Sequence, residues 1–451
     1  MAIVSRSFDS LRSYLGSVTW APFVKLSRST VLGLLSRVEV GQLVIRDSDG
    51  TVEICGQPSI EDGSPHTELR VSKEAFWVRV MLFADMGFAE SFMLGEISCP
   101  DLVAFFRIFI VNRAQLSNAT TLTSSLASTV NSLARSTNTM ANSQLNVSAH
   151  YDISNAMFAA FLSEDMTYSC PIWSPISDTK AQYESLEDAQ NTKLQYFINA
   201  AKIKPSDHVL EIGTGWGSFA IAAVKKTGCR VTSLTLSREQ KELAEQRIAA
   251  AGYTDNIEIL LCDYRALPTP REGLYDKVVS IEMLEAVGRE FLATYFGCVN
   301  QLLKPQGGIA VFQCITMPET RYEGYSKGED FIRKYIFPGG HLPTVSQLVG
   351  SIEQGSRGTL VVDSILNIGG HYAKTLRLWR EKFERNFDSD IRPALIGEHD
   401  GMTDRDVDLF RRKWQYYFTY CEAGFNTKTL GDVILTVGRE GATEMLQDIP
   451  L

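Results

Sequence analysis

The chain has 451 residues, 44% of them hydrophobic and 22% charged, which is enough for two or three globular domains with their own cores. Forty-four basic residues against fifty-three acidic ones give a net charge of −9, which argues against a protein that binds nucleic acid through its overall charge. The eight cysteines form no CxxC pair and have no histidines at zinc spacing, so the sequence predicts neither a disulfide framework nor a metal site. A reducing, cytoplasmic compartment is the simpler interpretation.

The first 113 residues are predicted to form a small α+β domain. The runs VGQLVI and TVEICG alternate like strands around the turn DSDG, and apolar helical stretches follow them. No apolar run reaches the roughly 18 residues that a membrane-spanning helix needs. Basic and apolar residues at the start of the chain share a helical pattern, which predicts either packing on this domain or peripheral contact with a membrane; they are Arg6, Phe8, Leu11, Arg12 and Leu15.

Residues 114–148 have the composition of a linker. Of these 35 positions, 19 are Ser, Thr or Asn, and Arg135 is the single charged residue. Residues 149–451 are therefore predicted to form a second domain.

Short β-rich runs alternate with helical runs in this second domain. The β-rich runs are HVLEI, RVTSLTL, IEILLCD, KVVSIEML and GGIAVFQCI. Such alternation predicts an α/β fold with a doubly wound, Rossmann-like parallel sheet, in which ligands bind beyond the carboxyl ends of the strands.

A glycine-rich loop follows the first of these strands, in VLEIGTGWGS. Gly213, Gly215 and Gly217 follow the spacing GxGxG, which differs from the GxGxxG of a dinucleotide site, and the acid expected after the second strand is missing. Glu211 favours a cationic ligand over a pyrophosphate, because a carboxylate repels phosphate and attracts an ammonium or sulfonium group. The loop therefore favours S-adenosylmethionine (SAM) over NAD.

Eight motifs in order resemble one known family. They are HYDISNAMFAAFL, MTYSCPIW, VLEIGTGWGS, LTLSREQ, LLCDYR, SIEMLEAVG, FIRKYIFPGGHLP and HYAKTLRLW, and they closely resemble the cyclopropane-fatty-acyl-phospholipid synthases, including the mycolic acid cyclopropane synthases. The resemblance covers about residues 148 to 425 and looks most like the eukaryotic, plant-type branch. It implies the class I SAM-dependent methyltransferase fold, preceded by the amino-terminal domain of the longer enzymes.

The resemblance also implies a set of cofactor-binding residues. By motif, these are Tyr168 and Ser169 on the lid side, Glu211, Gly213, Gly215 and Gly217 at the methionine and ribose, Thr235 and Gln240 as polar contacts, and Asp263 and Tyr264 beside the adenine. From the residues alone, Gln240 is equally explained as part of a helix cap, and Asp263 as the cap of the next turn.

The chemistry that the resemblance implies is methyl transfer to a carbon–carbon double bond, followed by removal of a proton from the new methyl group by a bound bicarbonate. Cys170 would hold this anion through its main chain and Glu285 would orient it, while Tyr372 would donate a hydrogen bond to it. Gln313 stands where the family usually has a histidine, and Ile315 keeps its match. Glu282 lies three residues before Glu285, but the EAVG context selects Glu285 for the family role.

The expected function is therefore transfer of a methyl(ene) group from SAM to an unsaturated acyl chain of a membrane phospholipid, with formation of a cyclopropane. The expected location is cytoplasmic and peripheral at the membrane, and a homodimer stays open. Three alternatives remain: a lipid methyltransferase that makes a methyl branch, an amine N-methyltransferase, and a protein that binds lipid or SAM without turnover.

Overall fold

The computed structural model describes residues 6–57, 63–117, 154–268, 273–399, 401–447 and 449–450. These residues divide into two compact units, each built from separate segments of the chain. The first comprises the described parts of Met1–Asp152 with Asp330–Pro338 and Phe387–Ala423, and the second those of Ile153–Glu329 with Gly339–Asn386 and Gly424–Leu451. Of the predicted linker, residues 114–117 belong to a short helix, and residues 118–148 lie outside the described part.

The first unit contains a four-stranded sheet in the order β2-β1-β3-β4. Its strands are β1 (Gly41–Arg46), β2 (Val52–Gln57), β3 (His66–Val71) and β4 (Ile97–Ser98). The predicted strand runs VGQLVI and TVEICG form the antiparallel pair β1–β2, shifted by one residue along the chain. The side chains of Arg6, Phe8, Leu11, Arg12 and Leu15 lie outside the described part, so the predicted membrane contact stays a prediction.

The second unit contains a seven-stranded sheet in the order β10-β11-β9-β8-β5-β6-β7. Its strands are β5 (His208–Ile212), β6 (Arg230–Thr235), β7 (Ile257–Leu261), β8 (Lys277–Ile281), β9 (Ile309–Thr316), β10 (Val361–Asn367) and β11 (Gly431–Gly438). The pairs among β5 to β9 are parallel, whereas β11 pairs antiparallel with both β9 and β10. The predicted parallel sheet is confirmed, and β10 and β11 are additions that the sequence patterns did not predict.

The helices follow in chain order. They are α1 (Arg6–Leu35), α2 (Ala75–Met93), α3 (Leu102–Val111), α4 (Arg113–Ser117), α5 (Asn155–Phe161), α6 (Leu186–Ala200), α7 (Ser218–Thr227), α8 (Arg238–Ala251), α9 (Leu292–Leu302), α10 (Glu319–Lys327), α11 (Phe331–Tyr335), α12 (Val345–Ser356), α13 (Gly369–Arg385), α14 (Arg392–Glu398) and α15 (Asp404–Asn426). No helix within the described ranges is long and apolar enough to cross a membrane.

Sheet order brings three segments of the second unit to one edge. The carboxyl ends of β5, β8 and β9 are neighbours because these strands pair in parallel. The antiparallel strand β11 begins at the same edge, where Asp432 lies opposite Ile315 of β9. A Cβ built on Gly213, just after β5, would lie 3.5 Å from Cγ of Met283, which follows β8. The glycine loop and the segment after β8 are therefore in contact.

Helices α9 and α12 approach closely at Gly355, and this contact predicts a stability effect. A Cβ on Gly355 would overlap the carbonyl oxygen of Ala293 and would lie 2.8 Å from the nitrogen of Gly297. Gly355→Ala should therefore push the helices apart and lower the free energy of unfolding by about 1–3 kcal/mol in chemical denaturation. Gly350, in the same helix, has no neighbour among the described residues within 4 Å of such a Cβ. Gly350→Ala should therefore raise the free energy of unfolding by up to about 1 kcal/mol. Equal effects of the two substitutions would contradict the close contact.

Candidate active site

The loop after β5 turns sharply at its three glycines. Gly213, Gly215 and Gly217 have φ angles of +103°, +52° and +86°, which residues with a side chain rarely adopt. The N–H groups of Gly213 and Thr214 donate to the carbonyl oxygen of Leu234 at 3.0 and 2.9 Å, which ties the loop to the end of β6. A Cβ on Gly215 would meet no heavy atom of the described residues within 4 Å. A ligand can therefore approach the loop backbone closely at Gly215.

Glu211 lies beneath this loop, near the end of β5, with only 3% of its surface exposed. The hydroxyl of Ser233 donates to Glu211 Oε2 at 2.5 Å, and Ser233 in turn bonds to the hydroxyl of Thr214 at 2.7 Å. Burial raises the pKa of Glu211 to about 8, although the Ser233 bond and the charge of Lys193 lower it. The carboxyl is therefore neutral at pH 7 in the free protein.

Polar residues predicted for the cofactor also lie at the ends of β6 and β7. The hydroxyl of Thr235 donates to Gln240 Oε1 at 2.8 Å, and Ser237 Oγ accepts from the Gln240 N–H at 3.1 Å as the N-cap of α8. Asp263 accepts hydrogen bonds from the main chain and the guanidinium of Arg265, so the capping role that the sequence left open is present.

Aromatic rings surround the two predicted tyrosines. The ring of Tyr264 packs against that of Tyr295, with centroids 4.9 Å apart. Tyr168 lies within an aromatic group, with ring centroids 5.1 Å from Phe158 and 5.2 Å from Trp379. Both tyrosines are half-buried, so part of each ring is available to a ligand.

Glu282, the first residue after β8, is the centre of a dense hydrogen-bond network. Its Oε1 accepts from the main-chain N–H of Cys170 and from Gln313 Nε2, both at 2.7 Å. Its Oε2 accepts from the hydroxyl of Tyr372 at 2.8 Å. Cys170 and Tyr372, which were predicted to hold a bound anion, and Gln313, at the position of the family histidine, thus donate to a carboxylate of the chain itself. Glu282 has a φ of +47°, in the left-handed region.

Two further carboxyl groups, on Glu285 and Asp432, lie near Glu282. We call these three residues the acidic cluster. Asp432 is fully buried in β11 and accepts from Gln313 Nε2 at 2.8 Å. Burial, and then the charge of Glu282, raises the pKa of Asp432 well above its usual range. Burial raises the pKa of Glu282 as well, but its hydrogen bonds from Cys170 and Tyr372 and the charge of Lys193 lower it. Of the two groups, Glu282 therefore has the surroundings that better favour a carboxylate.

Glu285 is separate from the Glu282 network. Its Oε1 accepts from the main-chain N–H of Ile315 at 2.5 Å, and its Oε2 has no hydrogen-bond partner among the described residues. Glu285 keeps some exposed surface, yet its carboxyl is enclosed, and desolvation followed by the charge of Glu282 raises its pKa to about 8. At pH 7 this group is neutral.

A buried lysine supplies positive charge to the site. Lys193 of α6 is fully buried, and its Nζ donates to Ser169 Oγ at 2.6 Å. Its charge lowers the pKa of Glu282 and so opposes the effect of burial on that carboxyl. The thiol of the adjacent Cys170 is also buried, and burial raises its pKa well above the usual range. This supports a role for the Cys170 main chain and not for its sulfur.

Three residues of the site were missed by the sequence interpretation or given no role in it: Glu282, Asp432 and Lys193. Lys193 had a usable signal, because it lies four residues after Ala189 and four before Phe197, on the buried face of α6. Asp432 had a weaker one, a lone acid that starts the apolar run VILTV. Glu282 has no role in the sequence interpretation, because the EAVG context selects Glu285 and nothing in the sequence shows which acid the donors face.

Comparisons with known proteins support the fold described above. The family described as mycolic acid cyclopropane synthetase matches residues 138–434. The tuberculostearic acid methyltransferase of Mycobacterium tuberculosis is 41% identical over 66% of this chain and 65% of its own length. The cyclopropane-fatty-acyl-phospholipid synthase of Escherichia coli is 31% identical over 82% of this chain and 87% of its own. A solved mycolic acid cyclopropane synthase complexed with SAH and CTAB aligns with a TM-score of 0.54 at 26% identity, covering 66% of this chain and 98% of that one.

Proposed function

The chain belongs to the mycolic acid cyclopropane synthetase family, with the class I SAM-dependent methyltransferase fold, and from this we propose that it transfers a methyl(ene) group from SAM to a double bond in an unsaturated acyl chain of a phospholipid. One observation carries the proposal: two acidic residues that keep some exposed surface, Glu282 and Glu285, follow β8 directly beside the glycine loop. Carboxyl groups in that position can stabilise positive charge next to a methyl donor. The product that we propose is a cyclopropane.

The glycine loop and its surroundings suit SAM as the methyl donor. We propose that Glu211 and the stretch Gly213–Gly217 hold its methionine and ribose, and that Tyr168 and Ser169 contact it from the opposite side. Thr235, Gln240, Asp263 and Tyr264 would contact the remainder of the molecule. When bound, SAM supplies a methyl group on a sulfonium sulfur, which the double bond accepts, so that positive charge develops on the acyl chain.

Bicarbonate, the base that the family resemblance implies, does not fit the residues present. The donors expected to hold it, on Cys170, Gln313 and Tyr372, are directed at Glu282, and the N–H of Ile315 is directed at Glu285. A further anion would also meet the charge of Glu282 at close range, which is unfavourable in a buried site. The proposal therefore contains no step that uses bicarbonate.

Methyl transfer without ring closure is the second candidate. One relative favours it, since that protein is named a tuberculostearic acid methyltransferase, whereas another relative is named a cyclopropane-fatty-acyl-phospholipid synthase. Because the match covers only 65% of the former's length, its name does not decide between the two products. In both cases the substrate would lie in a membrane, and we propose that the protein binds there peripherally.

Lipid analysis of cells that express the protein tests the proposal. Mass spectrometry should find acyl chains heavier by one methylene group at a former double bond, and NMR of the same lipids should show ring protons if a cyclopropane forms. A methyl or methylene branch at that position, in an acyl chain that keeps one double bond, would support the second candidate. Unchanged lipids together with a methylated amine would contradict both.

Glu211 should link SAM binding to proton release. Its pKa of about 8 keeps it neutral at pH 7, whereas a carboxylate that accepts hydrogen bonds from a ligand is ionised. SAM affinity should therefore rise with pH up to about 8 and then level off. Glu211→Gln should weaken binding by about 1–3 kcal/mol and remove this pH dependence.

Titration calorimetry in buffers with different heats of ionisation measures both effects. Glu258→Gln, on the exposed face of β7, is the matched control and should behave like the wild type. NAD should not bind. An unchanged pH slope in Glu211→Gln would remove Glu211 from the cofactor site.

A further inference from the structure

The donor groups around Glu282 have the arrangement of an anion-binding site that is already filled. A main-chain N–H, an amide and a phenol, from three distant parts of the chain, converge on this single carboxylate. We propose that the Glu282 carboxylate is the built-in base of the reaction, so that the protein neither binds nor needs a free anion for proton removal. This inference rests on the proposed function.

Glu282 is the one member of the acidic cluster suited to accept a proton. Asp432 has no exposed surface and accepts from one donor among the described residues, on Gln313, which favours its protonated form next to Glu282. Within the described part of the chain, Glu285 accepts from one donor and its Oε2 has no partner, which favours its neutral form. Glu282 accepts from three donors, on Cys170, Gln313 and Tyr372, which favours its carboxylate form, and the residue keeps some exposed surface.

The backbone at Glu282 indicates that this side chain is retained for its chemistry. A φ of +47° is strained for any residue except glycine, and such strain concentrates at functional sites. Glycine would adopt the same conformation without strain but would lack the carboxylate. The neutral amide of Gln313 also suits this role, because it donates to Glu282 without adding the positive charge that a protonated histidine would place beside a base.

The proposed step balances without any further reactant. The π electrons of the double bond form the new carbon–carbon bond, while the sulfur–methyl bond breaks and its electron pair stays on sulfur. A proton then leaves the transferred methyl group for Glu282, and the electrons of that C–H bond close the ring. This proton leaves a cation whose positive carbon lies two bonds from the methyl carbon, so even a carboxylate stabilised by three donors is basic enough to remove it.

Binding of ¹³C-labelled bicarbonate, followed by NMR, tests the site without any lipid substrate. Glu282→Gly removes the carboxylate, frees its three donors and relieves the backbone strain. This variant should bind bicarbonate at least about 10-fold more tightly than the wild type. Arg357→Gly is the matched control, since Arg357 has a similar φ of +55° at the exposed end of α12. Bicarbonate binding by the wild type as tight as by Glu282→Gly would overturn the proposal.

Turnover measured in buffer freed of carbon dioxide is the second test of the proposal. The wild type and Arg357→Gly should be unaffected by added bicarbonate, and Glu282→Gln should lose at least about 100-fold with no rescue, because its amide still fills the site. Glu282→Gly should lose as much and recover in part when bicarbonate is added. A wild type that needs bicarbonate, or an active Glu282→Gln, would overturn the proposal. Failure of the proposed function would show differently, as a wild type that modifies no lipid.

Discussion

Replacing Gly215 with valine is expected to lower the affinity for SAM at least about 100-fold. In the part of the chain that the structure describes, Gly215 borders open space in the glycine loop, with no heavy atom within 4 Å of a Cβ built there. A branched side chain would project into the space through which a ligand reaches the loop backbone. Calorimetric titration with SAM measures the loss directly.

Gly228→Val is the matched control for this substitution. Gly228 has a φ of +75°, and no heavy atom of the described residues lies within 4 Å of a Cβ built on it. It follows the last residue of α7 and so lies at the end of this helix that is remote from the glycine loop. Both substitutions force valine into the left-handed region and should cost about 1–3 kcal/mol of stability. Only Gly215→Val should lose SAM binding. Equal SAM affinity in the two variants would exclude the loop as the cofactor site.

Replacing Lys193 with methionine is expected to lower turnover at pH 7 by about 10- to 100-fold. The charge of Lys193 lowers the pKa of Glu282, so its removal should raise that pKa and leave less carboxylate at any given pH. The acid limb of the pH–rate profile should therefore move to higher pH, and raising the pH should restore part of the activity. A purely structural role would lower activity at all pH values alike.

Lys413→Met is the corresponding control. Lys413 is also buried, with 2% of its surface exposed, and burial lowers its pKa to about 8, but it belongs to the first unit. This substitution removes a buried lysine without touching the acidic cluster, so the pH–rate profile should keep its position. A shift as large as that of Lys193→Met would mean that the effect is not specific to Glu282.

Much of the fold could be predicted because its signals are local. The β-rich runs and the glycine loop predicted β5 to β9, and the family and its fold are confirmed by the comparisons. Strands β10 and β11 were missed because neither has a local partner: β11 pairs with β9, more than a hundred residues earlier in the chain. Because β11 was not predicted, no sequence pattern indicated that its residue Asp432 lies in the site.

The site was predicted less completely than the fold because its residues act as a group. The motifs identified Cys170, Gln313 and Tyr372 one at a time, but the direction of their hydrogen bonds depends on the fold. Glu282 and Glu285 both follow β8, and no spacing rule tells which carboxylate the donors face. The left-handed backbone that turns Glu282 toward them is likewise invisible in the sequence, since such conformations usually occur at glycine.

Transfer of an isotopically labelled methyl group tests the central claim most directly. The purified protein would be incubated with SAM carrying a ¹³C methyl group and with vesicles of a monounsaturated phospholipid, and NMR would locate the label. We predict that the ¹³C atom becomes the ring methylene of a cyclopropane at the former double bond, and that a saturated phospholipid acquires none. Label on a nitrogen atom of the headgroup, or none in the acyl chains, would contradict the account.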